Sequence, residues 1–378
     1  MELVRPYIIF YIIIFGIYLF SLAFPIKGIG AKNKDWYFVV AATLVLLLLG
    51  TRSENVGTDT IDYVSFFLHP DNYSFVDDVF FNILINVLRL FGSSTEYFIF
   101  MISLLGLAGL YYMINKYSDN KVLSVALFTL LGPMELFFFL YFSMIRQTIA
   151  LSLFFVAVSL LFDIRLNKRK QLLFFFLFYI LACLTHKSAL FALPFIALVY
   201  LKPVGSKTVW VALILTTYIL AGLEFSITNT VLSKVFELLG GDSHYAHYAD
   251  ITIGAVESRG FIHLGIVPFI IMGLVVTVFS DKKLIDNWII QLFLWSVVMN
   301  NIFFDNLNYN RLTLYLTMFA IVAMPNALKN MKAWVKVPTL VFVFGYFTYK
   351  MIGQLIFQMG PIPTGNIIVP YESWLFSF

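Results

Sequence analysis

Arginine residues interrupt this otherwise apolar chain at a few positions. Arg52 directly follows an apolar run and opens the polar stretch 51–63, Arg146 lies within an apolar run, and Arg311 follows an amide-rich segment. The planar guanidinium group suits bidentate binding of phosphate or carboxylate. A charge inside a membrane segment normally faces a cavity or a partner, although Arg146 could also snorkel to the membrane edge. With Arg259 in a later polar loop, these arginines predict an anion-binding surface.

His186 and Asp59 are the residues best suited to accept a proton. Between Lys170 and Lys202 the chain is too short to cross about 30 Å twice, so the turn at residues 185–188 is predicted to be recessed. A polar turn at that depth must line a cavity, and a histidine there is suited to be a general base. The alternatives are a histidine that only hydrogen-bonds backbone and an Asp59 that orients Arg52.

Amide and aromatic side chains are concentrated at residues 300–311, a combination typical of carbohydrate contacts. Asn308, Tyr309 and Asn310 are therefore candidate sugar contacts, and Tyr63 is another. The structural alternative is a polar turn between two membrane spans.

No motif in the sequence predicts a metal or a soluble cofactor. His244 and His247 lack a third ligand at a persuasive spacing, and the chain has no P-loop, dinucleotide-binding glycine motif or nucleophile elbow. The single cysteine, Cys183, cannot form an intrachain disulfide. The net charge of +4 is expected to reflect membrane topology rather than nucleic-acid binding.

The elements that must position these residues are membrane helices. Of the 378 residues, 61% are hydrophobic and 12% charged, against about 45–50% and about 25% in soluble domains. We therefore expect an all-α polytopic membrane protein with about twelve spans. The predicted apolar segments are 7–24, 36–50, 95–114, 121–140, 143–162, 171–185, 188–201, 208–223, 262–280, 287–304, 311–328 and 337–357.

The weaker segment 79–91 carries polar residues at helical spacing, which predicts an amphipathic or re-entrant helix. If it does not span, sixteen of the 25 basic residues fall on one side, which the positive-inside rule makes cytoplasmic. Both termini and two long loops, 51–94 and 224–261, are then outside. We expect residues 1–378 to form a single integral membrane domain.

The stretch 50–60 (GTRSENVGTDT) and the following Tyr63 resemble the signature of the EpsG/Wzy-like polysaccharide polymerases. Arg146-Gln147 at the start of an apolar helix, residues 186–188 after a short span, and residues 309–311 are similar to later landmarks of that family. They occur in the right order between about residues 36 and 325.

This resemblance implies a bacterial inner-membrane glycosyltransferase with a GT-C-like fold and no metal. Such an enzyme joins undecaprenyl-diphosphate-linked oligosaccharide repeat units into O-antigen, capsule or exopolysaccharide on the outer face of the membrane. A chain-length regulator and a flippase are the implied protein partners.

The resemblance also assigns roles to the candidate residues. Departure of the diphosphate creates negative charge that preorganised arginines would stabilise. We assign this role to Arg52, Arg146 and Arg311, with Arg259 as a weaker fourth. His186 is the preferred base for the acceptor hydroxyl, and Asp59 is the second candidate.

The sequence leaves two alternative functions open. A flippase or transporter of lipid-linked oligosaccharides would also use a cationic cavity, but alternating access usually places the site near the midplane between repeated halves. A polysaccharide ligase or membrane acyltransferase is the other. An acyltransferase would need a cytoplasmic acyl donor, and the predicted cytoplasmic loops are short.

Overall fold

The computed structural model describes residues 2–23, 34–70, 78–132, 136–223, 266–303, 307–359 and 368–375. The chain divides into two compact units. The first comprises residues 1–131, 135–190 and 344–378, and the second comprises residues 132–134 and 191–343.

The first unit contains the N-terminal helices. A short 3₁₀ turn, Glu2–Val4, precedes them. They are α1 (Arg5–Ala23), α2 (Lys34–Gly50), α3 (Thr60–Leu68), α4 (Val79–Arg89), α5 (Thr95–Tyr117), α6 (Lys121–Leu130), α7 (Phe137–Ser143), α8 (Ile145–Leu161) and α9 (Lys168–Thr185).

The second unit contains α10 (Leu193–Leu201), α11 (Lys207–Gly222), α12 (Val267–Phe279), α13 (Lys282–Ile285), α14 (Trp288–Ile302), α15 (Leu307–Thr317) and α16 (Ala320–Lys329). A 3₁₀ segment, Lys187–Ala192, precedes α10, and the last helix, α17 (Ala333–Gln358), contains residues of both units.

The prediction of an all-helical protein is confirmed for the described residues, which contain no β-strand beyond one isolated bridge between Arg52 and Ser373. Four helical stretches among the described residues are long and apolar enough to cross a membrane: α1, α5, α17 and the stretch Arg311–Lys329, which covers most of α15 and all of α16. The other apolar helices are shorter, and 17 residues, as in α2, extend only about 25 Å. The chain is a membrane protein, while the count of twelve spans stays a prediction.

Several predicted segments are interrupted. The segment 121–140 is divided into α6 and α7, and Gly132 and Pro133 lie in the sequence between them, where proline lacks the N–H that a continuous helix needs. The segment 188–201 begins as 3₁₀ helix and becomes α-helical at Leu193, where a proline occupies the first turn of α10. The segment 311–328 is divided between α15 and α16.

Helices α5, α8 and α9 form the centre of the first unit, with α8 packed along both of the others. Gly109 of α5 lies so close to Ser152 of α8 that a Cβ atom would overlap the serine backbone. Its backbone N–H also donates to the Ser152 hydroxyl at 2.7 Å. Small residues allow membrane helices to approach in this way, and this contact fixes the position of α8.

Asp163 joins the same helices at the opposite end from the N-terminus of α8. It accepts from Lys116 Nζ at 2.7 Å and from Arg165 Nη2 at 2.8 Å. Its backbone carbonyl accepts from Gln171 Nε2 at 2.8 Å. The C-terminal end of α5, the end of α8 and the start of α9 are thereby connected.

The predicted helix near residues 79–91 is present as α4. It buries Phe81, Ile85 and Leu88 against α3, α5 and α8. At about 1.5 Å per residue its eleven residues extend about 16 Å, well short of a membrane core. This length agrees with the prediction that the segment does not span.

Part of the amide-rich segment 300–311 holds helices of the second unit together. Asn300 donates to Thr317 at 3.2 Å and accepts from Thr313 at 2.6 Å, and Asn301 donates to Thr217 at 3.0 Å. Both asparagines are buried. Their role is structural, as buried amides require hydrogen-bond partners.

Candidate active site

Arg52 is fully buried beneath the loop that follows α2. Its guanidinium group donates to the carbonyl oxygens of Leu49 (2.5 Å), Val56 (3.2 Å) and Phe142 (3.2 Å), and to the Ser103 hydroxyl (3.0 Å). Burial lowers the pKa of Arg52 to about 10, so the group remains charged at neutral pH. Asp59 is not among these hydrogen-bond partners, and the suggestion that it orients Arg52 stays a prediction.

The loop of residues 51–59 packs against the C-terminal end of α7. Gly57 has φ = +104°, and a Cβ atom there would overlap the Phe142 carbonyl group. The Thr60 hydroxyl donates to that same carbonyl at 2.8 Å, and the Thr58 N–H donates to the Ser143 hydroxyl at 2.8 Å. The loop therefore supplies hydrogen bonds for the end of α7, immediately before α8 begins.

Arg146 is the second residue of α8, and the first unit brings it to two acceptors. Its Nε donates to the Tyr63 hydroxyl at 2.9 Å, and its Nη1 forms an ion pair with the Asp78 carboxylate. Its guanidinium carbon lies 5.8 Å from the centroid of the Tyr63 ring. The Arg146 side chain is 30% exposed, while that of Asp78 is 7% exposed. A buried carboxylate therefore holds the arginine, which itself remains accessible.

Tyr63 lies among three charged groups. Burial raises the pKa of Tyr63, the positive charge of Arg146 opposes this shift, and the carboxylates of Asp59 and Asp78 add to it. The phenol therefore stays protonated at neutral pH and accepts the Arg146 hydrogen bond. Asp59 is exposed and directly precedes α3. It lies one helical turn before Tyr63. The structure thus brings Asp59, Tyr63 and Arg146 into one polar cluster.

His186 directly follows α9 and is partly buried. Its Nδ1 lies 2.7 Å from the Ser188 hydroxyl and 3.3 Å from the Ser188 backbone N–H. Because a backbone N–H can only donate, Nδ1 is the accepting nitrogen, and the neutral ring carries its proton on Nε2. In this tautomer the Nε2–H of His186 is a hydrogen-bond donor.

The α8–α9 hairpin determines where Arg146 and His186 lie. The two helices pack along each other and are joined by residues 162–167, so they run antiparallel. Arg146 at the start of α8 and His186 after the end of α9 therefore occupy the same end of the hairpin. Helix α4, whose N-terminus is preceded by Asp78, also packs against α9.

The C-terminal segment 368–375 fastens the 51–59 loop from outside. Ser53 donates its backbone N–H to the Glu372 carbonyl at 2.9 Å, and the Ser53 hydroxyl and Asn55 Nδ2 each donate to Glu372 Oε2 at 3.0 Å. The Ser373 hydroxyl donates to the Thr51 carbonyl at 2.8 Å. The 51–59 loop is therefore held on both sides. Phe142 contacts its inner side, and the C-terminal segment contacts its outer side.

The other predicted residues lie elsewhere. Arg311 is exposed on α15 of the second unit, so its grouping with Arg146 stays a prediction. Residues 308–310 belong to the same helix and remain predicted sugar contacts. Arg259 and the loop 224–261, with His244 and His247, lie outside the described residues. Across the described ranges, no group of three metal-ligating side chains occurs.

Sequence reasoning missed Asp78 and Glu372, and it missed the contact between Ser188 and His186. Asp78 could have been found as an acid directly before an amphipathic helix, since a residue at that position lies beside the helix N-terminus. Ser188 is two residues after His186, a spacing that local side-chain hydrogen bonds favour. Glu372 had no signal, because only the tertiary fold brings the tail to the loop.

The fold and site define a polytopic helical membrane protein in which a partly exposed arginine, a tyrosine and carboxylates surround the start of one central helix. The chain belongs to the EpsG family, whose family model matches residues 35–373. Comparison with curated proteins and with solved structures finds no match.

Proposed function

We propose that this protein is a polysaccharide polymerase that joins undecaprenyl-diphosphate-linked oligosaccharide repeat units. Membership of the EpsG family supports this class of function. The single observation that carries it is the Arg146 site, where a cation is fixed by Tyr63 and Asp78 yet stays 30% exposed in an otherwise apolar protein.

The chemistry is an exchange of one C–O bond for another. A hydroxyl oxygen of the acceptor repeat unit attacks the anomeric carbon of the donor chain, and the bond from that carbon to the diphosphate breaks. Negative charge then grows on the departing diphosphate, which Arg146 stabilises. The Asp78 carboxylate and the Tyr63 hydroxyl hold the guanidinium in one orientation, so little reorganisation is needed during the reaction.

We assign the base to Asp59 and a donor role to His186. The Nδ1 of His186 already accepts from Ser188, which argues against the preference for His186 as base. Asp59 is an exposed carboxylate in the Arg146 cluster and would take the acceptor's proton. The Nε2–H of His186 would donate to an oxygen of the leaving diphosphate.

Arg52 is assigned a positioning role, because its guanidinium is buried among carbonyl groups rather than open to a ligand. Tyr63 is only 5% exposed, so we assign it to Arg146 rather than to a sugar. Arg311 and Arg259 remain proposed diphosphate contacts, and Asn308, Tyr309 and Asn310 remain proposed sugar contacts.

The proposal includes a bacterial inner-membrane location with the site facing outward, about twelve spans and a GT-C-like arrangement. The distribution of lysine in the predicted loops supports the orientation. A flippase would supply the repeat units, and a chain-length regulator would act on the product. No metal or other cofactor enters the proposed step.

The decisive experiment is polymerisation by the purified protein in lipid nanodiscs with defined lipid-linked repeat units. We expect wild-type protein to produce a ladder of longer products. Arg146→Ala should lower the turnover number by roughly 10²–10³-fold, and Asp59→Asn by roughly 10²–10⁴-fold. His186→Gln should retain most activity, because its amide can still donate near the position of Nε2, whereas His186→Ala should lose it.

Matched controls are Asp62→Asn, a neighbouring exposed acid on α3, and Arg5→Ala, an exposed arginine at the start of α1. Neither should change turnover by more than about twofold, as expected for surface substitutions away from a site. Movement of repeat units across a proteoliposome membrane without any longer product would replace the polymerase with the transporter alternative. Full activity of Asp59→Asn with none in His186→Gln would return the base to His186.

A further inference from the structure

Helix α4 has three distinct faces. One is buried in the first unit, as described above. A second, exposed face is apolar and consists of Val79, Ile83, Val87 and Leu90, which follow one another at helical spacing. The third face is polar and carries Asn82, Asn86 and Arg89. A helix of this kind lies along a membrane surface, with its apolar exposed face against lipid.

The polar face ends in an open pocket of about 450 Å³. Its lining combines apolar side chains with polar ones at the C-terminal end of α4. The lining residues are Phe67, Leu68, Asn86, Arg89, Leu90 and Ser93. A concave site of this kind, with a few polar groups on an apolar wall, is typical of ligand-binding pockets.

Arg89 differs from Arg146 and Arg165 of the same unit. Arg146 and Arg165 form ion pairs with Asp78 and Asp163. Arg89 is exposed and forms no ion pair with any residue that the structure describes. An exposed guanidinium beside an amide and a hydroxyl suits a phosphate group.

The proposed reaction needs two diphosphates at different places. The donor diphosphate leaves at the reacting carbon, whereas the acceptor diphosphate is separated from the attacking hydroxyl by the whole repeat unit. Asp78, which holds Arg146, precedes α4, and Arg89 is its last residue. The length of α4 places Arg89 about 16 Å along the helix from that carboxylate, a gap that an oligosaccharide can bridge.

We propose that the pocket at the end of α4 binds the diphosphate of the acceptor, the incoming lipid-linked repeat unit. Arg89 and Asn86 contact its phosphates, and the prenyl chain lies along the exposed apolar face of α4 in the outer leaflet. The acceptor oligosaccharide follows the polar face of α4 toward Arg146. This inference rests on the proposed polymerase function and adds the binding site for the second substrate.

The test separates donor from acceptor in full-length protein in phosphatidylcholine nanodiscs. The acceptor probe is a lipid-linked repeat unit with a methylene in place of its anomeric oxygen, so it cannot act as donor. The donor probe lacks the hydroxyl that would accept. We expect Arg89→Ala to raise the KM for the acceptor roughly tenfold or more, as for one lost charge-assisted hydrogen bond. The donor KM and kcat should stay within about twofold.

Arg89→Lys, which keeps the charge without the planar fork, should have an intermediate acceptor KM. Arg5→Ala is the matched control and should leave both KM values unchanged. An unchanged acceptor KM in Arg89→Ala would overturn the inference, and so would an equal rise in both KM values, which indicates general lipid recruitment. In either case a polymerising wild-type protein would leave the proposed function intact.

Native mass spectrometry with the acceptor probe gives a readout that does not need turnover. Wild-type protein should bind one more lipid diphosphate than Arg89→Ala, and phosphatidylglycerol should not displace it. Displacement by phosphatidylglycerol would assign the pocket to bulk anionic lipid and overturn the acceptor role. An inactive wild-type protein would overturn the polymerase and the acceptor role together, whereas equal lipid counts in the two proteins would reject the Arg89 site itself.

Discussion

The Nε of Arg146 donates a hydrogen bond of 2.9 Å to the hydroxyl of Tyr63, 83 residues earlier in the chain. Tyr63 belongs to α3, which directly follows the 51–59 loop, and that loop is fixed by Arg52 and Phe142. Two sequence motifs therefore meet in one site. The loop orients the tyrosine, and the tyrosine orients the arginine.

Tyr63→Phe should impair catalysis without unfolding the protein. The substitution removes the oxygen that accepts from Arg146 but keeps the ring, which packs against Phe81 with centroids 5.7 Å apart. A hydrogen bond to a charged group contributes about 1.5–3 kcal/mol, so turnover should fall roughly tenfold or more. The measurement is polymerisation rate, together with the melting temperature of the purified protein.

Tyr11→Phe is the matched control for that variant. It removes a hydroxyl hydrogen bond of 2.9 Å to Thr348, away from the Arg146 cluster. Its turnover should match wild type. If Tyr11→Phe and Tyr63→Phe reduce turnover equally, the effect is one of general stability and the orienting role of Tyr63 is wrong.

Arg52→Lys should lower stability before it lowers catalysis. Lysine keeps the charge but cannot reach the Leu49, Val56 and Phe142 carbonyls together, since it lacks the planar fork. Buried acceptors left without donors are costly, and we expect a loss of about 3 kcal/mol in the free energy of unfolding. A variant with normal melting temperature and greatly reduced turnover would instead support direct contact between Arg52 and the diphosphate.

Gly57→Ala should disrupt the same loop. The left-handed φ of Gly57 costs an ordinary residue about 1–2 kcal/mol, and the new Cβ would also overlap the Phe142 carbonyl, for a total near 3 kcal/mol. Gly16→Ala is the control, because a Cβ on Gly16 of α1 meets nothing within 4 Å. Its melting temperature should stay the same or rise slightly, and an equal fall in both variants would reject the explanation.

The sequence predicts the helices of this protein better than their interruptions. Apolar periodicity marks each segment, and the short length of α4 agrees with the prediction, made from the charge distribution, that it does not span. The division between α6 and α7 and the one between α15 and α16 lie inside apolar runs, where hydropathy carries no signal. The hydrogen bond by which Tyr63 orients Arg146 could not be predicted either, because it joins residues that are far apart in the sequence.

For the candidate active site, too, the sequence predicts the types of residue but not their contacts. The types of residue at Arg146, Asp59 and His186 indicate their chemistry, because few charged groups occur in so apolar a chain. Their partners depend on the tertiary fold. Arg52 illustrates the limit, since its motif predicts anion binding but the structure surrounds it with carbonyl groups. A buried positioning arginine and a ligand-binding arginine look the same in sequence.

The Asp163 connection provides a prediction that depends on pH. The Arg165 guanidinium, together with the Lys116 ammonium, holds the pKa of Asp163 well below its usual range despite the opposing effect of burial. A carboxylate whose pKa is lower in the folded state adds stability above its unfolded pKa of about 3.9, and this stability is lost as the pH falls below that value. The melting temperature of Asp163→Asn should therefore be lower than that of wild type at pH 7. The difference should stay constant down to about pH 5 and shrink below about pH 4.

Lys116 should account for most of this effect. Its side chain is 15% exposed, whereas that of Arg165 is 72% exposed, and exposed ion pairs contribute little because solvent screens them. Lys116→Met should lower the melting temperature at pH 7 nearly as much as Asp163→Asn, while Arg165→Ala should have a small effect. Because Lys116 and Asp163 act as a pair, the double variant should lose less than the sum of the two single losses. Additive losses, or a pH-independent difference for Asp163→Asn, would show that the carboxylate does not connect these helices through its charge.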